Sequence, residues 1–303
     1  MRFIIWIGTE QPWAEVAETA RVADATGWDG IYVADHFMPN EPPPALGPRL
    51  EAWTALSAIA ALTEHARLGV LVSGNTYRHP AILANMAATV DRLSNGRLVL
   101  GLGAGWQENE HDAYGLELYE IPERLARLDE ACQVVRLLLT EERSNFEGLY
   151  YRLADAPCEP KPVQTPLPLL VGGSGERVSM RIAARRADIW NCWGTPDVIA
   201  HKKPILEAHC AAVSRDSASI RLSAQALVRM SSDAAVLERW RQQPAGMPAL
   251  IGAPAEIGER LGEYQRIGLD EFVVSDRALG AELGRRHDQM AQFLQEVAAP
   301  YRS

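Results

Sequence analysis

Lysine is nearly absent from this chain. Three of its 30 basic residues are lysines, Lys161, Lys202 and Lys203, and 27 are arginines. Cysteine is scarce as well. Cys132, Cys158, Cys192 and Cys210 are widely spaced and form no CxxC pair, which excludes a zinc ribbon or a redox dithiol by spacing and fits reduced thiols in a cytosolic protein. No apolar run approaches the roughly 18 residues needed to cross a bilayer. The opening Met1–Gly8 is too short and lacks the small-residue cleavage pattern of a signal peptide. An excess of positive charge is also missing. Residues 1–150 hold 11 basic and 21 acidic side chains, residues 151–303 hold 19 and 18, and the net charge is −9. Neither nucleic acid nor an anionic membrane is therefore expected as main partner. A small anionic molecule remains open, because a local pocket can oppose the overall field.

The 303 residues are 47% hydrophobic and 23% charged, an ordinary globular balance that can bury a large core. The length suits two domains of about 150 residues or one α/β barrel of roughly 250 or more. Short β-branched or apolar runs alternate with longer helical stretches. The runs are Phe3–Ile7, Gly30–Ala34, Arg67–Ser73, Arg97–Leu102, Leu167–Val171, Ala187–Cys192, Ile220–Val228 and Glu271–Ser275. The helices between them are expected at Pro12–Thr26, Glu51–Glu64, Pro80–Leu93, Glu123–Leu139, Glu176–Arg185, Asp197–Ser214, Ala234–Gln242, Pro254–Ile267 and Gly280–Ala298, with a Pro-rich loop over Asp35–Arg49. Residues 140–167 break the rhythm with two short strands about Gly148 and a run of prolines, an insertion before the fifth strand. Helical crossovers imply parallel pairing, and eight strands close a (β/α)8 barrel. The competing open sheet would carry a glycine fingerprint after its first strand. Gly8-Thr9-Glu10-Gln11-Pro12 carries none. A single barrel over 1–303 is the expectation.

In such a barrel the functional groups gather where strands end. Asp35-His36-Phe37 follows the second run, and a histidine there can exchange a proton near neutral pH or simply hold the loop. Glu10 follows the first run and could orient His36, or be a solvated loop residue. Gly101-Leu102-Gly103-Ala104-Gly105-Trp106 allows close approach of a ring or phosphate to the backbone, although Trp106 spoils a GxGxxG match. Asn109 and Glu108, Glu110 and His111 share the next loop. Glu110-His111-Asp112 is no metal site, because adjacent residues do not converge easily on one ion. Gly172-Gly173-Ser174-Gly175 precedes a helix and reads as a phosphate site. Gly74, at the end of the third run, suggests a bulge, and Arg78 and His79 could hold substrate or only start a helix. Trp6, Trp106, Trp190 and Trp193 lie at or near strand ends, where flat side chains suit an aromatic cofactor or the core.

Together these segments resemble the luciferase-like monooxygenase superfamily, in its deazaflavin-dependent branch. The resemblance rests on Val33–Phe37, Ser73–Pro80, Asp91–Leu98 running into Gly101–Trp106, Val171–Gly175 and Ala187–Asn191. It spans residues 1 to about 300 and is most specific over 73–115. It implies a TIM barrel with an insertion, a homodimer, and coenzyme F420 or FMN bound at the C-terminal mouth. Asp35, Gly74, Ala104, Gly105 and Asn109 would then line the ring site. A non-proline cis peptide would lie near Leu71, Val72 and Ser73. Gly172, Gly173, Ser174 and Gly175 would take the phosphate. His36 matches the family's proton donor and Glu10 its carboxylate partner. Trp106 stands where the sugar-phosphate dehydrogenases of this family carry a carboxylate, and Asn40 where they carry a tryptophan, which argues against glucose-6-phosphate chemistry. Trp106, Trp190 and Trp193 suggest a partly apolar pocket, with Trp106 and Trp193 as substrate-binding residues. The expected activity is hydride transfer between coenzyme F420 and a small organic molecule. The alternatives are an FMN-dependent monooxygenase fed with reduced flavin, and a non-catalytic cofactor carrier.

Overall fold

A computed structural model describes residues 1–40, 46–243 and 246–302; residues 41–45 of the expected Pro-rich loop lie outside them. Eleven strands are present among the described residues: β1 (Arg2–Ile7), β2 (Gly30–Val33), β3 (Arg67–Gly74), β4 (Leu98–Gly103), β5 (Ser144–Glu147), β6 (Arg152–Ala156), β7 (Leu169–Gly172), β8 (Ile189–Trp193), β9 (Arg221–Met230), β10 (Ala249–Gly252) and β11 (Glu271–Ser275). Eight of them close a ring in the order β1, β2, β3, β4, β7, β8, β9, β11, every neighbour parallel. The fold is therefore the (β/α)8 barrel, and its strands fall on the eight expected runs. β5 and β6 form an antiparallel hairpin about Gly148. β10 pairs in parallel with Leu227–Met230 at the C-terminal end of β9 and is an addition to the expected set.

Side-chain alternation builds the two cores. Phe3, Ile5 and Ile7 of β1, Ile31 and Val33 of β2, and Leu98, Leu100 and Leu102 of β4 face the helices. Ile4, Tyr32, Leu71, Val99, Leu170, Ile189 and Val273 fill the lumen, with Trp6 and Val72 against them. The alternation breaks once. Leu71 and Val72 are successive residues and both face the lumen, the peptide between them is cis, and the β3–β4 register shifts between Val70 and Ser73. Beyond that point Ser73 points outward, where its hydroxyl accepts from the Trp53 indole N–H at 2.9 Å.

The helices are largely those of the sequence pattern. Pro80–Leu93 is capped by His79, whose Nδ1 accepts from the Ala81 N–H at 3.2 Å. Ala52–Leu62 is capped by the Glu51 carboxylate, which accepts from Trp53 N and Thr54 N. Three differences matter. The helix after β7 begins at Ser179 instead of Glu176, leaving a longer exposed turn. The loop after β4 contains a helix, Glu108–Tyr114. The C-terminal helix begins at Leu283 instead of Gly280 and widens into a π-helical turn over Phe293–Ala298. No helix among the described residues is long and apolar enough to cross a membrane.

Candidate active site

The C-terminal mouth divides by strand. The ends of β3, β4 and β7 are glycine-rich, and Val72 explains two of those glycines. A Cβ on Gly103 would lie 2.5 Å from Val72 Cγ2, and one on Gly172 would lie 2.9 Å from Val72 Cγ1. These glycines make room for the Val72 side chain, so close approach of a ligand is not their sole reason. Gly105 is constrained differently. It has φ of 83°, and a Cβ there would lie 2.4 Å from Thr76 Oγ1, which itself bonds His111 Nε2 at 2.7 Å. Its carbonyl accepts from Arg124 at 2.9 Å. Ala104, half-buried, packs against the outer core.

His36 leaves the end of β2 with 22% of its side chain exposed. Its Nδ1 lies 2.8 Å from Glu110 Oε1. Glu110 is fully buried and also accepts from the Phe37 N–H at 2.8 Å and from the Tyr77 hydroxyl. Burial alone would push the Glu110 carboxyl up, but the hydrogen bonds from His36, Tyr77 and Phe37 outweigh it and hold the group below its ordinary value. Burial and the same carboxylate push the Tyr77 phenol up, so it stays a donor. An ionised carboxylate only accepts. Nδ1 of His36 therefore carries the proton, and a neutral ring keeps its lone pair at Nε2. The edge of His36 meets the Trp106 ring at 5.4 Å, and Trp106 is 57% exposed.

Glu10 does not partner His36. Its oxygens face Arg49 at 3.9 Å and Arg277 at 3.5 Å, two guanidiniums brought in by the loop after β2 and by the one-turn helix Asp276–Leu279 after β11. The carboxylate that meets His36 comes from Glu108–Tyr114. On that helix Gln107, Glu110 and His111 are buried at helical spacing. Gln107 Nε2 donates to the Met38 carbonyl at 2.9 Å and Asn109 Nδ2 to the Pro39 carbonyl at 2.8 Å. The helix thus pins the segment that carries His36. His111 donates from Nδ1 to the Gln107 carbonyl at 2.7 Å and lies face to face with Tyr77.

Asp35 is buried and receives both terminal nitrogens of Arg78, at 2.6 and 3.0 Å, and the Gly74 N–H at 3.2 Å. Burial pushes its carboxyl up, and Arg78 and the Gly74 N–H pull the other way. Arg78 also reaches the Glu51 carboxylate at 2.6 Å. Arg78 is thus committed to protein carboxylates, and His79 to its helix cap.

After β7, Gly173 donates its N–H to the Asn191 carbonyl at 3.0 Å, and its own carbonyl accepts from the Trp190 indole at 2.9 Å. The N–H groups of Ser174 and Gly175 have no protein acceptor among the described residues. Lys202 Nζ donates to the Ser174 carbonyl and to Glu176 Oε1, both at 2.9 Å. Free N–H groups beside an ammonium are what a phosphate requires. The helix dipole contributes less than expected, since the helix starts four residues beyond Gly175. The tryptophans separate. Trp190 is core, while Trp6 and Trp193 meet edge to face at 5.8 Å in the mouth.

The luciferase-like monooxygenase family profile matches residues 1–247. The F420-dependent glucose-6-phosphate dehydrogenase of Amycolatopsis mediterranei is 37% identical over 179 residues, 59% of this chain and 53% of the relative. The chain spans about half the length of these curated relatives. Two solved structures share the fold from end to end. The coenzyme F420 dependent tetrahydromethanopterin reductase from Methanopyrus kandleri superposes with a TM-score of 0.83 at 18% identity, covering 99% of each chain. An F420-dependent secondary alcohol dehydrogenase bound to an F420–acetone adduct gives 0.84 at 19% identity, covering 100% of each. At that identity the likeness speaks for the fold alone. With the profile covering most of its length, the chain belongs to the luciferase-like monooxygenase family.

Proposed function

We propose that the protein is a coenzyme F420-dependent oxidoreductase moving a hydride between the deazaflavin and a small organic substrate. The observation that carries this reading is the His36–Glu110 pair at the rim of a mouth whose β7 turn offers free N–H groups and Lys202. The name of the curated dehydrogenase relatives supports the deazaflavin over FMN. Bound coenzyme F420 supplies the carbon that gives or takes the hydride. Gly172–Gly175 and Lys202 hold its phosphate. Val72, Gly74, Ala104, Gly105 and the Asp35–Arg78 pair would line its ring site. Ser73 and Asn109 take part through the backbone they stiffen, the Ser73 hydroxyl accepting from the Trp53 indole and the Asn109 amide donating to the Pro39 carbonyl. His36 gives or takes a proton at a substrate oxygen through Nε2, and Glu110 keeps Nε2 the free nitrogen. Trp106 and Trp193 wall the substrate. Glucose 6-phosphate is not that substrate, since Trp106 stands where a carboxylate would act.

A fluorescence titration of the purified chain with coenzyme F420 and, separately, FMN tests the assignment. Saturable binding of F420 in preference to FMN supports it. Preference for FMN moves the protein to oxygen-dependent chemistry with a separately reduced flavin. His36→Ala is expected to abolish turnover while leaving F420 affinity within about twofold; unchanged turnover would leave a cofactor carrier as the better reading. The resemblance further implies a homodimer in the cytosol, which sedimentation of the purified chain would test.

A further inference from the structure

The half of the mouth opposite the glycine turns holds a cavity of about 500 Å³, within the range of small-molecule sites. It lies over the ends of β1, β9 and β11. Three guanidiniums line it, Arg229, Arg277 and Arg285, and among the described residues no carboxylate does. Arg229 follows Leu227 on β9, on the lumen side of the alternation. Arg277 is partly neutralised by Glu10 at 3.5 Å. Arg229 and Arg285 have no carboxylate within 4.0 Å among the described residues. The net charge of the chain is −9, so a cavity with uncompensated positive charge runs against the overall field.

The walls limit what else can enter. Trp6, Trp240 and Met247 are large and apolar, and Gln243 and Ser275 are the uncharged polar side chains in the lining. A sugar would bring several hydroxyl donors to guanidiniums that only donate, with Gln243 and Ser275 as the side-chain acceptors, and each buried hydroxyl left unpaired costs about 1–3 kcal/mol. An apolar or aromatic body meets Trp6, Trp240 and Met247 without that penalty. Guanidiniums present a planar fork that matches carboxylate or phosphate oxygens. We propose that this cavity is the substrate subsite and takes an organic anion, an anionic head on an apolar body, with Arg229 and Arg285 on the head and Trp6 and Trp240 on the body. The proposal deepens the oxidoreductase reading and rests on it for the cavity's role in turnover.

The test uses the full chain free of cofactor, titrated calorimetrically with 4-phenylbutyrate, its neutral counterpart 4-phenyl-1-butanol, and glucose 6-phosphate. The expected result is saturable binding of 4-phenylbutyrate, at least tenfold weaker binding of the alcohol, and weakening of the carboxylate about tenfold by Arg229→Gln and by Arg285→Gln. Arg285 is exposed on the helix Leu283–Gln292, so its variant folds even if the strand variant does not. Equal binding of acid and alcohol, indifference of the acid to Arg285→Gln, or preference for glucose 6-phosphate each overturns the proposal. Because no cofactor is present, a failed F420 titration removes the hydride reading without touching this result. Failure here with F420 binding intact removes only the subsite.

Discussion

Glu110→Gln tests the proton-handling assignment at one atom. Glu110 offers two oxygens to three half-buried donors, the His36 Nδ1–H, the Tyr77 hydroxyl and the Phe37 N–H. A glutamine offers one oxygen and an NH2 group of nearly the same shape. With its oxygen on Phe37, the NH2 faces His36, and the imidazole answers by accepting at Nδ1 and carrying its proton on Nε2. The lone pair proposed to act is then gone. A hydrogen bond to a charged group contributes about 1.5–3 kcal/mol, and tenfold in an equilibrium or rate is about 1.4 kcal/mol. The variant should therefore lose roughly 10- to 150-fold in kcat. The F420 dissociation constant should stay within about twofold, because Glu110 touches none of the residues assigned to the phosphate. The assay pairs steady-state turnover with ¹⁵N NMR of the His36 ring, which reports Nδ1–H in the wild type and Nε2–H in the variant. A variant with wild-type kcat, or a wild-type ring protonated on Nε2, would refute the reasoning. Thermal denaturation separates this from misfolding, since one mismatched buried donor costs about 1–3 kcal/mol and leaves the barrel intact.

Gly105→Ala places a Cβ at a φ of 83° and 2.4 Å from Thr76 Oγ1; a loss of about 1–3 kcal/mol is expected in urea denaturation, and an unchanged midpoint would show that the turn relaxes freely. Lys202→Ala should weaken F420 about tenfold, less so at high salt, because salt screens attraction between charges in a solvent-open turn; unaltered affinity would take Lys202 out of the phosphate site. Asp276 is buried between Gln11, the Gly8 N–H and the fully buried Arg286, and burial pushes its carboxyl up to about 6. The unfolded value is about 4. Below that, both states are protonated and the contribution is complete. From about pH 4 to 6 the unfolded chain ionises first, so stability falls, by on the order of 3 kcal/mol, and it levels off above. The stability difference between wild type and Asp276→Asn should decline across that window; a flat difference would contradict the assignment.

What could be read from the sequence follows from periodicity. The ring strands are regular runs with β-branched or apolar residues at both parities, as a parallel sheet buried on both faces demands, so all eight were legible. β10 was not, because Ala249–Gly252 lies outside the ring and pairs only with the C-terminal end of β9. Gly103 and Gly172 were visible as glycines, but their reason, the Val72 side chain lodged between them, needs the turn of β3 in space. The expected helix over Glu176–Arg185 starts late because Ser179 Oγ and the Met180 N–H both return to the Gly175 carbonyl, a local bond that composition does not announce.

The miss at Glu10 has a more general cause. Strand order puts Glu10 beside His36 on the same rim, and that much was sound reasoning from the barrel. Which carboxylate an imidazole meets depends on which one is free. Glu10 stands between Arg49 and Arg277, whereas Glu110 sits in a buried pocket with no guanidinium on it. The sequence did hold a signal for this: Gln107, Glu110 and His111 recur at the i, i+3, i+4 spacing of one helix face. That stripe is polar, and a search for apolar periodicity passes over it. A short helix whose buried face is polar cannot be there for hydrophobic burial. It must satisfy each group by hydrogen bonds, and those bonds run to Phe37, Met38 and Pro39, the residues just after His36. A helix held in this way loses its reason if the histidine segment moves, so the position of His36 and the position of Glu110 are one structural fact.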